Sequence, residues 1–483
     1  MSYSVVIGLE VHAQLSTNTK MFCGCRVEFG AEPNTLVCPV CLGFPGTLPV
    51  PNARAVECAI MLGLACEANI ESRPMWTRKN YFYPDLPKGY QITQTGGSPV
   101  YDKPICTGGH LDIDLEDGTR KRIGLTRIHM EEDAGKLIHD LTVADSLFDA
   151  NRCGTPLLEI VSEPDLRSPE EAIAYLEKLK QILEYLDICD ANMERGNLRC
   201  DANISLRADE SAPFGERVEL KNMNSFSNLL KAMHAEIELQ AATLDAGGTV
   251  KRETKRWDPA KATTITNRSK EDAQDYRYFP EPDLVRLSVT PDDIARAREI
   301  LPELPEARRT RYVEQYGLPA YDADVLTREK AVSEFYEAAC AVTEDKKAVS
   351  NWVMGEVLRV LKEGNLTVSD LKFTAAHVGE MVELIRTGAI SGKIAKTVFE
   401  HMVAGEGAPG EIVKARNLSV INDAAAVEGF IRQVMEANPD KVNEYRSGKE
   451  KLFGFFVGQV MRASQGKAAP EQVNDLLKTM LAG

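Results

Sequence analysis

The chain opens on a run in which apolar and polar residues alternate. From Tyr3 to Leu15 every odd position is apolar or aromatic, whereas Glu10, His12 and Gln14 occupy even positions. Because successive side chains of a strand point to opposite faces, we expect the odd set to face a core and the even set to line the other face. A carboxylate and an imidazole two positions apart on one face can share a metal ion, although a solvated outer face gives the same pattern.

The same alternation recurs near residue 200. Between Leu198 and Arg207 the even positions are apolar, and the odd positions include Arg199 and Asp201. After a loop, residues 218–222 place Glu219 and Lys221 on one face. The two runs predict an antiparallel hairpin. Arginine, lysine and carboxylates on its polar face suit contacts with phosphate, metal and carboxylate groups.

Two helix starts organise the rest of the chain. Ser168 and Thr290 each precede a proline and then an acidic residue at the third helical position, the arrangement of an N-cap. The first start predicts a helix that covers the sheet, and the second follows a stretch rich in proline and aromatic residues, residues 276–283. Nearly everything afterwards has a helical pattern, with a hinge at residues 404–410. We therefore predict an α+β protein with domains at residues 1–289, 290–404 and 405–483.

Composition narrows the class of protein. Of the 483 residues, 43% are apolar and 27% are charged, which favours a globular chain over a disordered or membrane-spanning one. The N-terminal residues lack the cationic start of a secretory signal, so we predict a cytoplasmic protein. The net charge of −15 argues against nonspecific nucleic-acid binding by the whole chain. From residue 408 onwards, however, 10 basic and 9 acidic residues leave a net charge of +1.

Three acids stand together in the run Glu131, Glu132 and Asp133, shortly before a glycine. Clustered carboxylates repel one another, so they are either dispersed in water or gathered around a cation. Taken with Glu10 and His12, they suggest a polar cleft that holds Mg²⁺. Such ions commonly carry nucleotide phosphates, which makes phosphoryl transfer the natural reaction class.

Four cysteines form two close pairs, Cys23 with Cys25 and Cys38 with Cys41. This spacing is typical of a tetrahedral structural zinc site, which would staple the loop-rich segment 23–41. The alternative is four reduced thiols without a metal. Ten of the 11 cysteines lie in the first 200 residues, and an odd total without a secretory signal favours thiols or metal ligands over disulfides.

Several longer blocks carry a family resemblance. They include IGLEVHAQL, GAEPNTLVCPVCLGFPGTLPV, RKNYFYPDLPKGYQI, HMEEDAGK, GTPLLEIVSEPDLRSP, LRCDANISLR, ELKNMNSF, DYRYFPEPDL and LPAYDADVL. In this order, over essentially the whole chain, they closely resemble the GatB family, the B subunits of aspartyl/glutamyl-tRNA amidotransferases. The resemblance implies a cradle of antiparallel strands similar to that of glutamine synthetase, then a helical domain and a C-terminal domain similar to YqeY.

The resemblance also implies an activity. The family uses ATP to phosphorylate the side-chain carboxylate of misacylated Glu-tRNA(Gln) or Asp-tRNA(Asn), and ammonia then displaces phosphate to form the amide. The resemblance implies that His12 and Glu132 of this chain hold Mg²⁺. We add Glu10 and Glu219 because of the strand faces on which they lie, with Glu131 and Glu253 as further candidates.

Other residues receive roles by the same resemblance. Lys79 and Tyr81 would guide ammonia or substrate into the cradle, unless they belong only to an ordered aromatic loop. We expect Arg199, Asp201 and Lys221 to lie near phosphates.

Partners are implied too, in a heterotrimer. An amidase subunit would release ammonia from glutamine, and a small third subunit would hold the amidase to this chain. The helical half would bind tRNA, although scattered basic residues on helices are usually solvated. The tRNA-binding candidates are Arg446, Lys449, Lys451, Arg462 and Lys467. Two other functions fit parts of the pattern: a free-standing ligase that amidates a small carboxylate, and a zinc-stapled RNA-binding scaffold without enzymatic activity.

Overall fold

The computed structural model describes residues 3–115, 117–139, 146–221, 223–269, 275–421, 423–464 and 466–482. Its contacts divide the chain into two compact units, Met1–Leu304 and Pro305–Gly483. The first unit holds a large sheet with helices, and the second unit is helical. The predicted mixture of an N-terminal sheet and a helical C-terminal region is therefore confirmed.

Fifteen strands lie in the described part of the first unit. They are β1 (Ser4–Gln14), β2 (Asn69–Ile70), β3 (Thr77–Asn80), β4 (Tyr90–Thr93), β5 (Cys106–Thr107), β6 (His110–Asp114), β7 (Arg120–Glu132), β8 (Lys136–His139), β9 (Ser146–Asp149), β10 (Pro156–Ser162), β11 (Leu198–Arg207), β12 (Val218–Lys221), β13 (Glu253–Asp258), β14 (Thr263–Ser269) and β15 (Phe279–Pro280). Thirteen of them form one sheet, whose main path runs β14-β13-β12-β11-β1-β10-β7-β4-β3-β15. Within that path the neighbours are antiparallel, except that β12 and β13 are parallel.

The register of the central strands confirms the alternation that the sequence predicts. Val11 and Ala13 of β1 are buried in the main hydrophobic cluster, whereas Glu10 and His12 are only partly buried on the other face. The predicted hairpin is also present, because β11 and β12 pair antiparallel with Asn203 opposite Glu219. One face of the sheet is thus apolar and the other is polar.

Helices cover the apolar face. They are α1 (Ala53–Ala65), α2 (Pro169–Tyr185), α3 (Phe226–Asp245) and α4 (Pro291–Glu299). Leu176 and Leu179 of α2 belong to the same hydrophobic cluster as Val11. Both predicted helix starts are confirmed, since the Ser168 side chain accepts a hydrogen bond from the backbone N–H of Glu171 and Thr290 forms a capping box with Asp293.

The second unit is built from α5 (Pro305–Glu314), α6 (Ala320–Thr327), α7 (Lys330–Cys340), α8 (Lys346–Trp352), a π-helical turn (Val353–Val357), α9 (Leu358–Gly364), α10 (Ala375–Arg386), α11 (Gly392–Ala404), α12 (Pro409–Ala415), α13 (Ala424–Glu436), α14 (Pro439–Arg446), α15 (Phe453–Ala463) and α16 (Pro470–Ala482), with short 3₁₀ turns at Val368–Asp370 and Glu450–Leu452. Its buried side chains form two clusters, one from Tyr312 to Val413 and one from Val427 to Leu481. No helix in the described ranges is both long enough and apolar enough to cross a bilayer.

Packing shows which hydrophobic core is joined by the helices that follow the predicted domain limits. Helix α4 packs with α1 and contributes Ala297 to the core of the first unit, and α12 contributes Ile412 and Val413 to the middle cluster. A helix-start signal marks where a helix begins but not which core it joins. The division at residues 289 and 404 therefore stays a prediction.

Candidate functional site

Five side chains meet on the polar face of the sheet. The polar cluster, as we call it, consists of Glu10, His12, His129, Glu131 and Glu159. It forms because the strand register places His12 of β1 opposite Glu159 of β10, and Glu159 opposite His129 of β7. Three strands that are distant in sequence thus bring two imidazoles and three carboxylates together.

Distances within the polar cluster are short. His12 Nε2 lies 3.3 Å from Glu159 Oε2, 3.5 Å from Glu131 Oε1 and 3.9 Å from Glu10 Oε1. His129 Nε2 lies 3.5 Å from Glu159 Oε2 and 3.8 Å from Glu131 Oε2. Two sets of three members each offer ligand atoms within 4.8 Å of one another, namely Glu10, His12 and Glu159, and His129, Glu131 and Glu159.

The charges of the polar cluster are strongly coupled. Burial disfavours the charged imidazole of His12, but the hydrogen bond to Glu159 and the charges of Glu131 and Glu10 raise its pKa to about 9. Burial opposes ionisation of Glu159, yet His129 and His12 lower its pKa. Burial and the charge of Glu159 raise the pKa of Glu10. Three carboxylates packed this closely call for positive charge.

A divalent cation fits the donor atoms of the polar cluster. Carboxylate oxygens are the ligands that Mg²⁺ prefers, and imidazole nitrogens can complete such a set. His129 Nε2 is buried and has no hydrogen-bond partner among the described residues, although it points between Glu131 and Glu159. A bound ion or water at this position would give the buried nitrogen a partner.

Glu132, which the family resemblance puts at the metal, lies on the other side of β7. Because side chains alternate along a strand, Glu131 faces the polar cluster and Glu132 faces away from it. Glu132 instead pairs with Lys88 and accepts a hydrogen bond of 3.0 Å from the backbone N–H of Ile92. The structure therefore brings Glu10, His12 and Glu131 together, but not Glu132.

The two remaining metal candidates also lie outside the polar cluster. Glu219 pairs with Lys221 at 3.1 Å and accepts a hydrogen bond of 3.0 Å from Thr254. Glu253 accepts a hydrogen bond of 2.9 Å from Thr266 on the neighbouring strand. Both carboxylates thus have partners of their own.

Sequence reasoning missed His129 and Glu159. His129 belongs to the run from Arg127 to Glu131, where polar residues alternate with Ile128 and Met130. Because Glu131 is followed directly by two more acidic residues, the run does not look like an alternating strand. Glu159 is a single carboxylate inside the apolar run PLLEIVS, and a lone charge in a buried strand was the available signal.

The predicted phosphate contacts flank the polar cluster. In the strand register Arg199 lies opposite His12, and Asp201 lies opposite Glu10. Lys221 pairs with Asp201. Arg199 donates a hydrogen bond from Nη2 to Asp133 Oδ1 at 2.9 Å.

A cleft opens beside the polar cluster, at the start of β1. Its volume is about 610 Å³, and its lining includes Gly8, Arg127, Asn203, Ser205, Arg217 and Arg252. Arg127 connects the cleft to the polar cluster, since its Nη2 lies 3.3 Å from Glu159 Oε1. The cleft thus offers three guanidinium groups, which suit phosphate.

Lys79 and Tyr81 lie near the far edge of the sheet, on β3 and just after it. Lys79 Nζ is 5.0 Å from the ring centroid of Tyr276 and 5.8 Å from that of Tyr81. Burial opposes the charge of Lys79, but Glu131 and Glu159 keep its pKa raised. Burial raises the pKa of Tyr81. The charge of Lys79 is therefore coupled to the polar cluster, while a role in guiding ammonia or substrate stays a prediction.

The four predicted zinc ligands come together. The Sγ atoms of the cysteine cluster, Cys23, Cys25, Cys38 and Cys41, lie within 4.8 Å of one another. The hydrogen bond from Cys23 lowers the pKa of Cys41 to about 4, although burial opposes this shift, and Lys20 Nζ lies 3.5 Å from Cys41 Sγ. Four converging sulfurs, one of them favouring the thiolate, fit a structural zinc ion.

In the second unit, the predicted tRNA-binding residues differ in their surroundings. Arg446 donates to the backbone oxygens of Leu481 at 3.0 Å and Met480 at 3.3 Å, so it caps the last helix. Lys449 pairs with Glu444 at 3.2 Å. Lys451 and Arg462 are exposed, and Lys467 is half-buried. Contact with tRNA stays a prediction for all five.

Comparison with known proteins gives consistent matches. Two family models match the chain. The model described as "GatB/GatE catalytic domain" matches residues 5–295, and the model described as "GatB domain" matches residues 334–481. The chain is 56% identical over 486 residues to the B subunit of the aspartyl/glutamyl-tRNA(Asn/Gln) amidotransferase from Geobacter sp. (strain M21), with 100% of both chains covered. Proteins of the same name from Geotalea daltonii, at 54%, and Chlorobaculum tepidum, at 51%, are also covered completely.

Proposed function

The chain belongs to the GatB family of tRNA-dependent amidotransferase subunits, and from this we propose that it activates the side-chain carboxylate of Glu-tRNA(Gln) or Asp-tRNA(Asn) with ATP and then converts it to the amide. The proposal is supported mainly by the position of the polar cluster. On one side of it lies the cleft with its three arginines, and on the neighbouring strand β11 lies Arg199. This layout suits phosphoryl transfer, which depends on positioning and on electrostatic stabilisation.

The proposed reaction has two steps. A carboxylate oxygen of the substrate attacks the γ-phosphorus of ATP, the bond to the β–γ bridging oxygen breaks, and ADP leaves. Ammonia then attacks the acyl carbon, the bond from that carbon to the phosphate oxygen breaks, and phosphate leaves while the nitrogen loses a proton. The first step is needed because a carboxylate oxygen is a poor leaving group.

We assign the proposed Mg²⁺ to the polar cluster. Glu10, Glu131 and Glu159 would hold it together with His12 or His129. When bound, the ion would neutralise charge on the transferring phosphoryl group. Arg127 contacts Glu159 and also lines the cleft, so it can orient phosphate oxygens toward the cluster. Glu132 is omitted from this set because it pairs with Lys88.

ATP would occupy the cleft. A volume of about 610 Å³ is within the usual range of small-molecule sites, roughly 300–1,000 Å³. Arg217 and Arg252 could bind its phosphates alongside Arg127. The likeness to glutamine synthetase that the family resemblance implies would be consistent with a sheet whose carboxylates hold a metal beside a nucleotide.

The remaining roles extend the proposal to partners. An amidase subunit would supply ammonia, and a small third subunit would join the amidase to this chain. Lys79 and Tyr81 would guide ammonia toward the polar cluster. The second unit would hold the tRNA, with the exposed Lys451 and Arg462 as contacts. Zinc in the cysteine cluster would be structural.

The test is amidation by the assembled complex. Glu-tRNA(Gln) and Asp-tRNA(Asn) are offered separately, with ATP and with free ammonium as the nitrogen donor. We expect cleavage of ATP that depends on aminoacylated tRNA, and an amide product with at least one of the two. A complex that hydrolyses glutamine but forms no product with either tRNA would refute the proposal. Amidation of a small free carboxylate, or tRNA binding without ATP cleavage, would favour one of the two other functions instead.

A further inference from the structure

A buried carboxylate holds two arginines beside the polar cluster. Asp133 accepts a hydrogen bond from Arg199 Nη2 at 2.9 Å and another from Arg152 Nη2 at 2.8 Å. Burial opposes its charge, but the two guanidinium groups lower the pKa of Asp133. The backbone fixes its position as well, because its N–H donates to Thr155 O at 2.8 Å and its C=O accepts from the N–H of Gly154 at 2.9 Å.

The two guanidinium groups retain unused donors. Each arginine carries five N–H donors, and within the described residues each gives a single side-chain hydrogen bond, to Asp133. The side chain of Arg152 is 34% exposed and that of Arg199 is 42% exposed. Because these donors are partly exposed and not used by Asp133, the two side chains, which we call the arginine pair, form a preformed site for an anion.

The position of the arginine pair indicates which anion it binds. Along β1, Val6 and Gly8 line the cleft, Glu10 and His12 belong to the polar cluster, and Arg199 lies opposite His12. Arg199 extends past His12 to Asp133, whose N–H donates to Thr155 O, next to the Pro156 O that accepts from Leu15 N–H. The cleft, the polar cluster and the arginine pair therefore follow one another along β1. In phosphoryl transfer the attacking and leaving oxygens lie roughly in line on opposite sides of the phosphorus. With the nucleotide at one end, the attacking group belongs at the other.

We propose that Arg152 and Arg199 bind the side-chain carboxylate of the aminoacyl-tRNA, with Asp133 as the residue that positions them. This inference rests on the proposed function. A guanidinium can bind a carboxylate through two charge-assisted hydrogen bonds, which a neutral carboxamide cannot match. The arginine pair would thus bind the carboxylate of the substrate more tightly than the carboxamide of the product. Binding of the side chain therefore weakens once the amide has formed.

The experiment compares two tRNAs that differ only in this group. Binding of Glu-tRNA(Gln) and of Gln-tRNA(Gln) is measured without ATP, in the complex with the amidase and the small third subunit. Arg152→Ala should weaken binding of Glu-tRNA(Gln) by about tenfold or more, while binding of Gln-tRNA(Gln) stays the same. Arg152→Lys should lose part of the effect, because an ammonium group keeps the charge without the fork.

A nearby arginine provides the matched control. Arg195 is exposed, its guanidinium lies 5.6 Å from the ring centroid of Phe29, and among the described residues its side chain makes no hydrogen bond to Asp133. Arg195→Ala makes the same change in charge, and it should leave the preference for Glu-tRNA(Gln) intact. Asp133→Asn should raise the KM for Glu-tRNA(Gln) more than it lowers kcat, whereas general unfolding would lower the active fraction for both tRNAs.

Three results would overturn the inference. Equal loss of both tRNAs would assign Arg152 to a tRNA phosphate, and a raised KM for ATP alone would assign it to the nucleotide. Unchanged binding of both tRNAs would remove the site. Before these tests, the wild-type complex must show ATP cleavage that depends on Glu-tRNA(Gln). If it does not, the proposed function is wrong. If it does, one of the three results above would refute only the role of the arginine pair.

Discussion

The first unit contains two groups of side chains that could each hold a metal ion, and they are assembled in opposite ways. The cysteine cluster comes from one segment, residues 23–41, whereas the polar cluster draws on β1, β7 and β10. The first depends on local spacing and the second on strand register. A local site can be recognised from a short stretch of sequence, but a site between strands requires the order and register of the sheet.

The cysteine cluster and the polar cluster also differ in whether they leave room for a substrate. Four sulfurs complete a tetrahedral set and leave no position for a substrate. The polar cluster presents oxygen and nitrogen atoms between the cleft and the arginine pair. We therefore expect loss of the polar cluster to abolish chemistry, and loss of the cysteine cluster to act only through the residues that it supports.

Glu159→Gln should have the largest effect. Glu159 is shared by both sets of ligand atoms, and the substitution keeps its size while removing its charge. We expect ATP-dependent amidation to fall by about 10³-fold, with glutamine hydrolysis by the amidase subunit still measurable. Glu177→Gln, at an exposed position of α2, is the matched control and should retain full activity. Amidation near the wild-type rate in Glu159→Gln would exclude the polar cluster as the catalytic centre.

Glu132→Gln tests the neighbouring carboxylate, which the family resemblance puts at the metal. It would leave the side chain of Lys88, which is only 10% exposed, without its charged partner, and this should destabilise the first unit by about 3 kcal/mol. Denaturant unfolding measures this loss, and Glu57→Gln in the exposed pair with Arg54 serves as the control. The Mg²⁺ concentration for half-maximal activity should not change. If it rises as in Glu159→Gln, Glu132 acts at the metal after all.

These two carboxylates show how far the sequence could predict the structure. Alternation along β1 and the N-caps at Ser168 and Thr290 are local signals, and the structure confirms what they predict. The run of three acids suggests one group in the sequence, but in a strand adjacent residues point to opposite faces. Glu159 could be connected to His12 only once β10 was known to lie beside β1.

The cysteine cluster can affect the arginine pair through the turn between β9 and β10. Its segment braces the turn that carries Arg152: Asn34 Oδ1 accepts a hydrogen bond from Ala150 N–H at 2.8 Å, and Leu36 N–H donates to Asn151 Oδ1 at 2.9 Å. Removing a sulfur should loosen this turn, so its effect on catalysis should not exceed that of losing Arg152.

Cys38→Ser should therefore weaken binding of Glu-tRNA(Gln) by at most about tenfold, the effect expected of Arg152→Ala, and change kcat little. Zinc content and tRNA binding are measured on the same preparation, with Cys58→Ser as a control at a buried cysteine outside the cluster. Combining Cys38→Ser with Arg152→Ala should add little to Arg152→Ala alone, because both substitutions act through one contact. Full additivity, or a wild-type protein without zinc, would contradict this connection between the two clusters.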